Sequence, residues 1–343
     1  MSYLRWQHRP QLRRPVLVAG FEGWNDAGEA ATTALRWLQG TADAIPFATI
    51  DAEDFYDFTV ARPMVKLDEG RTRRIEWPEP TLAAARVGGG RVGGAAGDDL
   101  SGRDVVFLVG VEPALKWRAF TNTVLEVAEA LGVEMVLTLG ALLADVPHTR
   151  PVRVTGTATD PDLIAELGFA RSRYEGPTGI LGVLMDACNR AGMKSASLWA
   201  TTPHYLRETA SPKAALALIE RLDELLGFRL DTTDLEIASA AYERQVNEML
   251  AGEDDVADYV RRLEEDADDD PDETDADIFG SGPGGFGLGG RFGLGAGAGP
   301  GAGAGPGGTG GQGSGEQPFT IPHPDTLAAE VEQFLRDQSG NGG

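Results

Sequence analysis

The sequence lacks the cysteines and the long apolar runs that several protein classes need. Cys188 is the only cysteine among 343 residues, so no disulfide can form within the chain and a reducing compartment is favoured. No run approaches the roughly 20 apolar residues that span a bilayer. The basic N-terminal stretch continues into a turn and a helical pattern instead of a signal-peptide cleavage site. We therefore expect a cytoplasmic protein without a membrane partner.

Basic residues are also scarce. The chain has 30 Lys and Arg against 53 Asp and Glu, a formal net charge of -23. Because proteins bind phosphate backbones through clustered Lys and Arg, this balance argues against a nucleic-acid partner. The excess is uneven, since Glu253 to Asp277 holds 14 acidic residues and two arginines, about half of the imbalance. The main body is only moderately acidic.

Sequence motifs of nucleotide, hydrolase and metal sites are missing or out of context. The pattern G-x-G-x-x-G occurs at 88–93 and 285–290, but neither copy lies between an apolar strand and a helix, as a dinucleotide site requires. There is no P-loop G-K-[ST] and no nucleophile elbow G-x-S-x-G. One cysteine and four histidines without zinc-like spacing do not indicate a zinc site. We assign no catalytic residue, no metal ligand and no cofactor.

What the sequence does contain is four apolar runs that each end in a compact polar or aromatic cluster. The runs are Pro15–Phe21, Asp104–Val111, Val133–Leu143 and Ser195–Thr202. Three of the four clusters lead into a helical pattern, as expected for parallel strands that feed helices. We predict an α/β fold with a mostly parallel central sheet flanked by helices. The carboxyl ends of such strands share one edge, so the clusters should line one surface.

Periodicity and capping residues place the individual elements. The predicted strands are 15–21, 46–53, 72–77, 104–111, 133–140, 151–157 and 195–201, and the predicted helices are 25–39, 116–131, 161–167, 179–191 and 212–226. Asp160 and Ser211 each precede a proline at a first helical position, and Gly227 can supply a left-handed helix stop. Thr233 with Glu236 fits a capping box.

The domain organisation follows from composition. Residues 1–252 form the predicted α/β domain. Two apolar stripes, one at Leu235, Ala238, Tyr242, Val246 and Met249 and one at Val256, Tyr259 and Leu263, predict a helical hairpin. Residues 253–316 are acidic and then rich in Gly, Ala and Pro, which predicts a flexible insertion. Residues 317–338 predict an amphipathic helix that packs on the body or docks elsewhere, and 339–343 a disordered tail.

Sixteen residues near the strand ends and in the turn before the helix at 179–191 are binding or interface candidates. They are Glu22, Trp24, Asn25, Asp26, Glu112, Lys116, Trp117, Asp145, His148, Arg150, Tyr174, Gly176, Thr178, Gly179, His204 and Tyr205.

Each group of candidates has a functional and a structural interpretation. His148 can shuttle protons, oriented by Asp145, or can satisfy buried backbone groups. The turn at Thr178 can hold an anion at a helix N-terminus, or can be a tight turn only. The aromatic side chains can form an interface or seal the core. Glu22, Asp26 and Glu112 can converge on a divalent cation, or can cap helices.

Five segments in order resemble the bacterial branch of the proteasome assembly chaperone 2 (PAC2) family. They are FEGWNDAG (21–28), EPALKWRAF (112–120), LGALLADVPHTRPV (139–152), YEGPTGI (174–180) and WATTPHYL (199–206). The resemblance covers about residues 14–252, and IPHPDTLAAEVEQFL near the C-terminus resembles the end of those proteins. It implies an α/β fold similar to purine nucleoside phosphorylases, without an established enzymatic activity in the bacterial branch.

The resemblance implies two function hypotheses. The first is a non-enzymatic chaperone or scaffold with a protein partner, proteasome subunits being the implied class, working as a homo-oligomer. Some relatives dock through a C-terminal hydrophobic-Tyr-X tail, whereas this sequence ends in SGNGG, so we do not expect that mode of docking. The second is a phosphorylase-like or hydrolase-like enzyme that uses Asp26, Glu112, Asp145 and His148 around a small anionic or nucleoside-type ligand.

Overall fold

The computed structural model describes residues 3–68, 72–87, 103–207, 209–251 and 254–269. The strands are β1 (Leu4–Trp6), β2 (Val16–Glu22), β3 (Ile45–Ile50), β4 (Met64–Asp68), β5 (Thr72–Glu76), β6 (Thr81–Val87), β7 (Arg103–Val111), β8 (Met135–Ala144), β9 (Val154–Ala158) and β10 (Ser195–Pro203). The helices are α1 (Ala30–Thr41), α2 (Trp117–Leu131), α3 (Pro161–Leu167), α4 (Ile180–Arg190), α5 (Pro212–Leu226), α6 (Thr233–Leu250) and α7 (Asp254–Asp269). Within these residues, no helix is both long enough and apolar enough to cross a membrane.

Eight strands form one sheet in the order β1-β3-β6-β7-β2-β8-β10-β9. The four central strands, β7, β2, β8 and β10, are mutually parallel. The flanking pairs β1/β3, β3/β6, β6/β7 and β10/β9 are antiparallel. The predicted α/β class is confirmed, and the sheet is mixed, with its parallel part confined to the centre.

Helices cover both faces of the sheet. Helices α1 and α5 pack on one face in a cluster that includes Leu35, Leu218 and Ile219. Helices α2 and α4 pack on the other, where Phe120 and Leu184 lie in a second cluster. The strands between them are apolar on both faces because both faces are buried, which is typical of parallel strands. The parallel pairing of the central strands places their carboxyl ends on one edge of the sheet.

Helix boundaries follow the capping chemistry where it is local. The Asp160 carboxylate accepts hydrogen bonds from the backbone of Asp162 and Leu163 at 2.8 and 3.1 Å, and the Ser211 hydroxyl accepts one from Ala214 at 3.2 Å. Gly227 ends α5 with φ +67°. The predicted capping box is wrong: α6 begins at Thr233 with Thr232 in the cap position, and the Thr232 hydroxyl donates to Glu236 at 2.8 Å.

The first helix begins later than the predicted residue 25. A short 3-10 turn, Ala27–Glu29, precedes α1, and Gly28 and Glu29 adopt left-handed φ values of +61° and +50°. The Gly28 carbonyl accepts a hydrogen bond from the backbone of Ser211 at 2.7 Å, and a Cβ at Gly28 would lie 3.1 Å from the Ser211 Cβ. This contact joins segments that are distant in sequence, so the hydrophobic periodicity does not reveal it. It lies at the turn that precedes α1, where the predicted helix is interrupted.

The predicted helical hairpin is present as α6 and α7, and it encloses a third apolar cluster. Tyr205 and Leu206, just after β10, pack with Tyr242, Val246 and Leu250 of α6 and with Val256, Val260 and Leu263 of α7. Helix α7 falls inside the range 253–316 that composition assigns to the insertion. The remainder of that range, the predicted helix 317–338, the tail 339–343 and both G-x-G-x-x-G segments lie outside the described residues.

The sequence analysis did not predict three of the described strands, β1, β4 and β6. Strands β1 and β6 join the antiparallel side of the sheet, and β4 pairs with β5 in a separate two-stranded hairpin. Strands β1, with three residues, and β4, with five, are short. Strand β6, TLAAARV, contains three consecutive alanines, which have low strand propensity. Their pairing therefore depends on neighbouring strands more than on their own residues.

Candidate functional site: the strand-exit edge

The four predicted clusters lie at one edge of the sheet. We call this the strand-exit edge and define it as residues 22–28, 112–117, 145–150 and 203–207, at the carboxyl ends of β2, β7, β8 and β10. They share this edge because the four strands are parallel neighbours. The edge has two parts with different surroundings, a β2–β7 part and a β8–β10 part.

In the β2–β7 part, Glu112 joins three segments that are remote in sequence. Its Oε1 accepts a hydrogen bond from the Asn25 side-chain amide at 2.8 Å and another from the backbone N–H of Ile180 at 2.8 Å. Ile180 is the first residue of α4, so a protein carboxylate already lies at the N-terminus of this helix. Asn25 is buried, and its backbone carbonyl accepts from Ala141 at 2.9 Å.

Gly179 makes this junction sterically possible. A Cβ at this position would lie 2.4 Å from the Asn25 amide nitrogen, closer than atoms can approach. The glycine therefore allows the α4 N-terminus to reach Asn25 and Glu112. Thr178, one residue earlier, is exposed, and its hydroxyl oxygen would lie 2.0 Å from a Cβ on Gly182.

Asp26 caps α1 across the intervening 3-10 turn. Its Oδ1 accepts hydrogen bonds from the backbone N–H groups of Ala31 at 2.7 Å and Thr32 at 3.3 Å, and its Oδ2 accepts from the Thr32 hydroxyl. Burial raises the pKa of this carboxyl from 3.8 to about 6, and the three hydrogen bonds partly offset that rise. Of the two interpretations offered for Asp26, helix capping is the role that its contacts serve.

The carboxylates of this part do not converge on a cation site. Glu22 is partly exposed and forms an ion pair with Arg36 of α1, whereas Asp26 is engaged with α1 backbone and Glu112 with α4. Across the part of the chain that the structure describes, no group of three or more His, Cys, Asp or Glu side chains is arranged to hold a metal ion.

Two large apolar side chains of the β2–β7 part face solvent. Trp24 is 49% exposed and Leu115 is 51% exposed. Lys116 forms an ion pair with Asp54 at 2.8 Å, and its φ of +52° precedes the start of α2. Trp117 is half-buried against the second core, and its indole N–H donates to the carbonyl of Pro113. Of the two tryptophans, Trp117 therefore packs against the core, whereas Trp24 is available to contact a partner.

The segment before α4 folds on itself. The Tyr174 hydroxyl donates to the carbonyl of Pro177 at 2.9 Å, and a Cβ on Gly176 would lie 2.5 Å from that hydroxyl oxygen. Only glycine fits at position 176, because the Tyr174 side chain lies too close for any Cβ. These contacts fit the interpretation of 174–179 as a tight turn placed against the sheet.

In the β8–β10 part, His148 is buried in a hydrogen-bonded network. Its side chain and backbone are 3% exposed, and its Nδ1 lies 2.8 Å from the hydroxyl of Tyr205, which also accepts from the His148 backbone N–H at 2.9 Å. Its Nε2 lies 3.1 Å from the Asn247 amide oxygen of α6. This pattern assigns a neutral ring with the proton on Nε2. Burial lowers the pKa of His148, which favours the same neutral form.

The α6–α7 hairpin covers this part of the edge and is tied to it by charged groups. Arg150 makes two hydrogen bonds to the Asp268 carboxylate of α7, at 2.9 and 2.6 Å, and the Thr149 hydroxyl donates to Glu264. Lys213 of α5 donates to the His148 carbonyl at 2.6 Å and to Glu243 of α6 at 2.8 Å.

Asp145 and His204 form the rim of the covered part. The His204 Nδ1 lies 3.3 Å from the Asp145 carboxylate, and the Tyr259 hydroxyl donates to the same carboxylate at 3.4 Å. The hydrogen bond from His204 lowers the pKa of Asp145. Asp145 thus contacts His204, while the hydrogen bonds that position His148 come from Tyr205 and Asn247.

Sequence reasoning did not identify five residues that complete this network. They are Lys213, Glu243, Asn247, Glu264 and Asp268. Asn247 and Lys213 gave no signal, because a lone amide or lysine on a helix is ordinarily a surface residue. Glu264 and Asp268 are four residues apart on α7, so they share one helix face and could have indicated a basic partner at Arg150.

A family model described as the PAC2 family matches residues 20–250. The chain belongs to the PAC2 family. A PAC2 family protein from Streptomyces avermitilis is 46% identical, with a TM-score of 0.65 over 72% of this chain and 99% of that one. A proteasome-assembly chaperone homologue from Mycobacterium tuberculosis is 41% identical, with a TM-score of 0.60 over 71% and 99%. No curated protein matches the sequence significantly.

More distant solved structures share the fold of this PAC2 member. An archaeal proteasome activator from Pyrococcus furiosus is 18% identical, with a TM-score of 0.56 over 71% of this chain and 97% of that one. At this identity the likeness concerns architecture alone.

Proposed function

We propose that this PAC2 family member is a non-enzymatic chaperone or scaffold that binds a protein partner through the β2–β7 part of the strand-exit edge, the partner class being proteasome subunits. The observation that carries this proposal is the exposure of Trp24 and Leu115 beside polar groups that are already bonded within the chain. Tryptophan is among the residues that contribute most to protein interfaces. The M. tuberculosis relative, described as a proteasome-assembly chaperone homologue, supports the choice of partner class.

The hydrogen bonding of the edge favours recognition over chemistry. Asp26 and Glu112 accept backbone N–H groups of α1 and α4, and His148 is buried beneath the helical hairpin. A general acid or base must reach a substrate proton within hydrogen-bond distance, and a helix N-terminus that binds phosphate needs free amides. The contacts of these side chains are structural, which supports the first hypothesis over an enzyme acting on a small anion.

A binding assay with purified components tests this proposal. Proteasome subunits from the same source are titrated against the full chain, against Trp24→Ala and against Ile237→Ala. Ile237 is the matched control, because it is an apolar residue of α6 that is 66% exposed and belongs to a different surface. We expect Trp24→Ala to weaken binding by about tenfold or more. No binding by the wild-type chain, or equal binding by both variants, would contradict the proposal.

We also propose that the protein works as a homo-oligomer, as the family resemblance implies. Light scattering of the full chain across a wide range of concentrations measures the mass directly. A single mass equal to 36.3 kDa at every concentration would rule out a stable assembly.

A further inference from the structure

The β4–β5 hairpin presents an apolar face to solvent. The register pairs Val65 with Ile75 and Leu67 with Arg73, so these four side chains share one face. Val65, Leu67 and Ile75 are 58%, 59% and 55% exposed. The hairpin is a two-stranded sheet by itself, and an isolated hairpin is only marginally stable in water. Three exposed β-branched or aliphatic residues on one face therefore indicate a surface that another segment covers.

The opposite face of the hairpin is polar and internally paired. Lys66 is paired with Arg74 in the register, and both side chains contact the Glu76 carboxylate. Met64 lies on this face as well, opposite Glu76. Phe58 packs edge-on against Trp77 at 4.9 Å and anchors the base of the hairpin. The apolar face is thus one distinct side of an ordered element.

The hairpin region is basic within an acidic protein. Between Val60 and Trp77 the sequence has five basic and three acidic residues, although the whole chain has a net charge of -23. A suitable occupant would therefore be apolar on one side and acidic.

The chain itself contains a segment with these properties. Residues 317–338 predict an amphipathic helix with Leu327, Val331, Phe334 and Leu335 on one face. Four acidic residues and one arginine give this segment a net negative charge. Helix α7 ends at Asp269, and the intervening sequence of 47 residues has a covalent reach of about 150 Å, which is ample for any face of the body.

We propose that residues 317–338 dock in cis on the apolar face of the β4–β5 hairpin formed by Val65, Leu67 and Ile75, with Arg73 facing the acidic side of the segment. A second copy of the chain is a poorer occupant. A contact between two such faces would bury Arg73 of both copies against apolar side chains, with no acidic residue on either face to pair with it. The inference is independent of the proposed partner surface at Trp24.

Hydrogen exchange measured by mass spectrometry on the full chain tests the docking. Val65→Asp places a charge on the apolar face, and Met64→Asp is the matched control, because it makes the same change at an adjacent exposed apolar residue of the other face. We expect amides of 325–336 to exchange about tenfold faster in Val65→Asp than in the wild type, since one buried valine contributes a factor of this size. Met64→Asp should leave them unchanged.

A second pair of variants, with substitutions in residues 317–338, tests the same contact from the other side. Phe334→Asp should speed exchange in 64–68 and 72–76, whereas Gln333→Asp, which adds the same charge on the opposite side of the predicted helix, should not. Identical exchange in the wild type, Val65→Asp and Phe334→Asp would overturn the proposal. Protection of the hairpin that rises with protein concentration would also overturn it and would identify a second copy as the occupant. Equal melting temperatures for all variants exclude global unfolding as the cause.

Discussion

The Tyr205 hydroxyl contacts His148 twice, accepting its backbone N–H at 2.9 Å and lying 2.8 Å from its Nδ1. One phenol therefore satisfies two groups of a residue that is buried on leaving β8. Tyr205 itself is 1% exposed, so bulk water does not reach this contact.

Replacing Tyr205 by Phe should destabilise the protein. The substitution removes the hydroxyl and leaves the buried N–H and Nδ1 of His148 without this partner, at a cost of about 1–3 kcal/mol in the free energy of unfolding. Urea unfolding measures the loss. Tyr174→Phe is the control, because that hydroxyl bonds a carbonyl in an exposed turn, and it should cost less than about 1 kcal/mol. Equal losses for the two variants would contradict the assigned role of Tyr205.

Stability should fall on mild acidification because of His148. Its pKa is lower in the folded protein than the ordinary 6.5, so the unfolded chain binds the proton more tightly. The contribution of His148 to the free energy of unfolding is complete above about pH 6.5. It is lost as the pH falls towards the lowered pKa of His148 in the folded protein. The polar groups around it are the Tyr205 hydroxyl, Asn247, Lys213, Glu243 and Glu264.

Two measurements isolate this titration. The free energy of unfolding between pH 7.5 and 5 should decline less steeply in His148→Gln than in the wild type. In NMR spectra of histidine-labelled protein, the His148 ring should titrate below the ordinary range. A ring that titrates at or above 6.5 would show that the neutral, buried form is wrong.

Substitutions at Asp26 should separate its hydrogen bonds from its charge. Asp26→Ala removes the acceptor of two backbone N–H groups of α1 and should cost about 1–2 kcal/mol. Asp26→Asn keeps an acceptor oxygen and removes a buried charge. The pKa of Asp26 is about 6 in the folded protein, above the ordinary 3.8. The contribution of this carboxyl group to the free energy of unfolding therefore falls as the pH rises from 3.8 to 6.

The asparagine variant should therefore lack this pH dependence and be more stable than Asp26→Ala at pH 7. Parallel urea titrations at pH 4 and pH 7 give the comparison. An asparagine variant as unstable as the alanine variant would indicate that the charge is essential.

Glu112→Ala should loosen the junction between β2, β7 and α4. It removes the acceptor shared by the Asn25 amide and the Ile180 N–H, with an expected cost of about 1–3 kcal/mol. Glu112→Gln keeps an acceptor oxygen and should cost less than Glu112→Ala. Asn25→Ala and Glu112→Ala should be non-additive in a double-mutant cycle, because both remove the same bond. Strict additivity would show that the two residues act independently.

Local sequence signals accounted for the core elements. Helices α3 and α5 have their predicted bounds, because a capping side chain followed by proline acts on the next few residues only. The buried central strands were visible as apolar runs. Short or alanine-rich strands such as β4 and β6 were missed, since their stability depends on the strand beside them.

The candidate site was predictable as a location and only partly as a set of contacts. Parallel strands must end on one edge, so the clusters at Asn25, Glu112, His148 and His204 could be placed together from the sequence. The contact of Asn247 in α6 with His148, and the contact of the α4 N-terminus with Glu112, could not be predicted from the sequence. The partners are 99 and 68 residues apart, respectively.

The sequence alone determined the α/β class, the positions of the central strands and the family, because these depend on hydrophobic period, local capping and the order of short motifs. Tertiary structure alone decided which strand-exit groups are covered and which face solvent. Gly140 shows why: a Cβ there would lie 2.6 Å from the ring of Trp199 on the neighbouring strand. Packing between distant residues sets such contacts, and no local pattern encodes the partner.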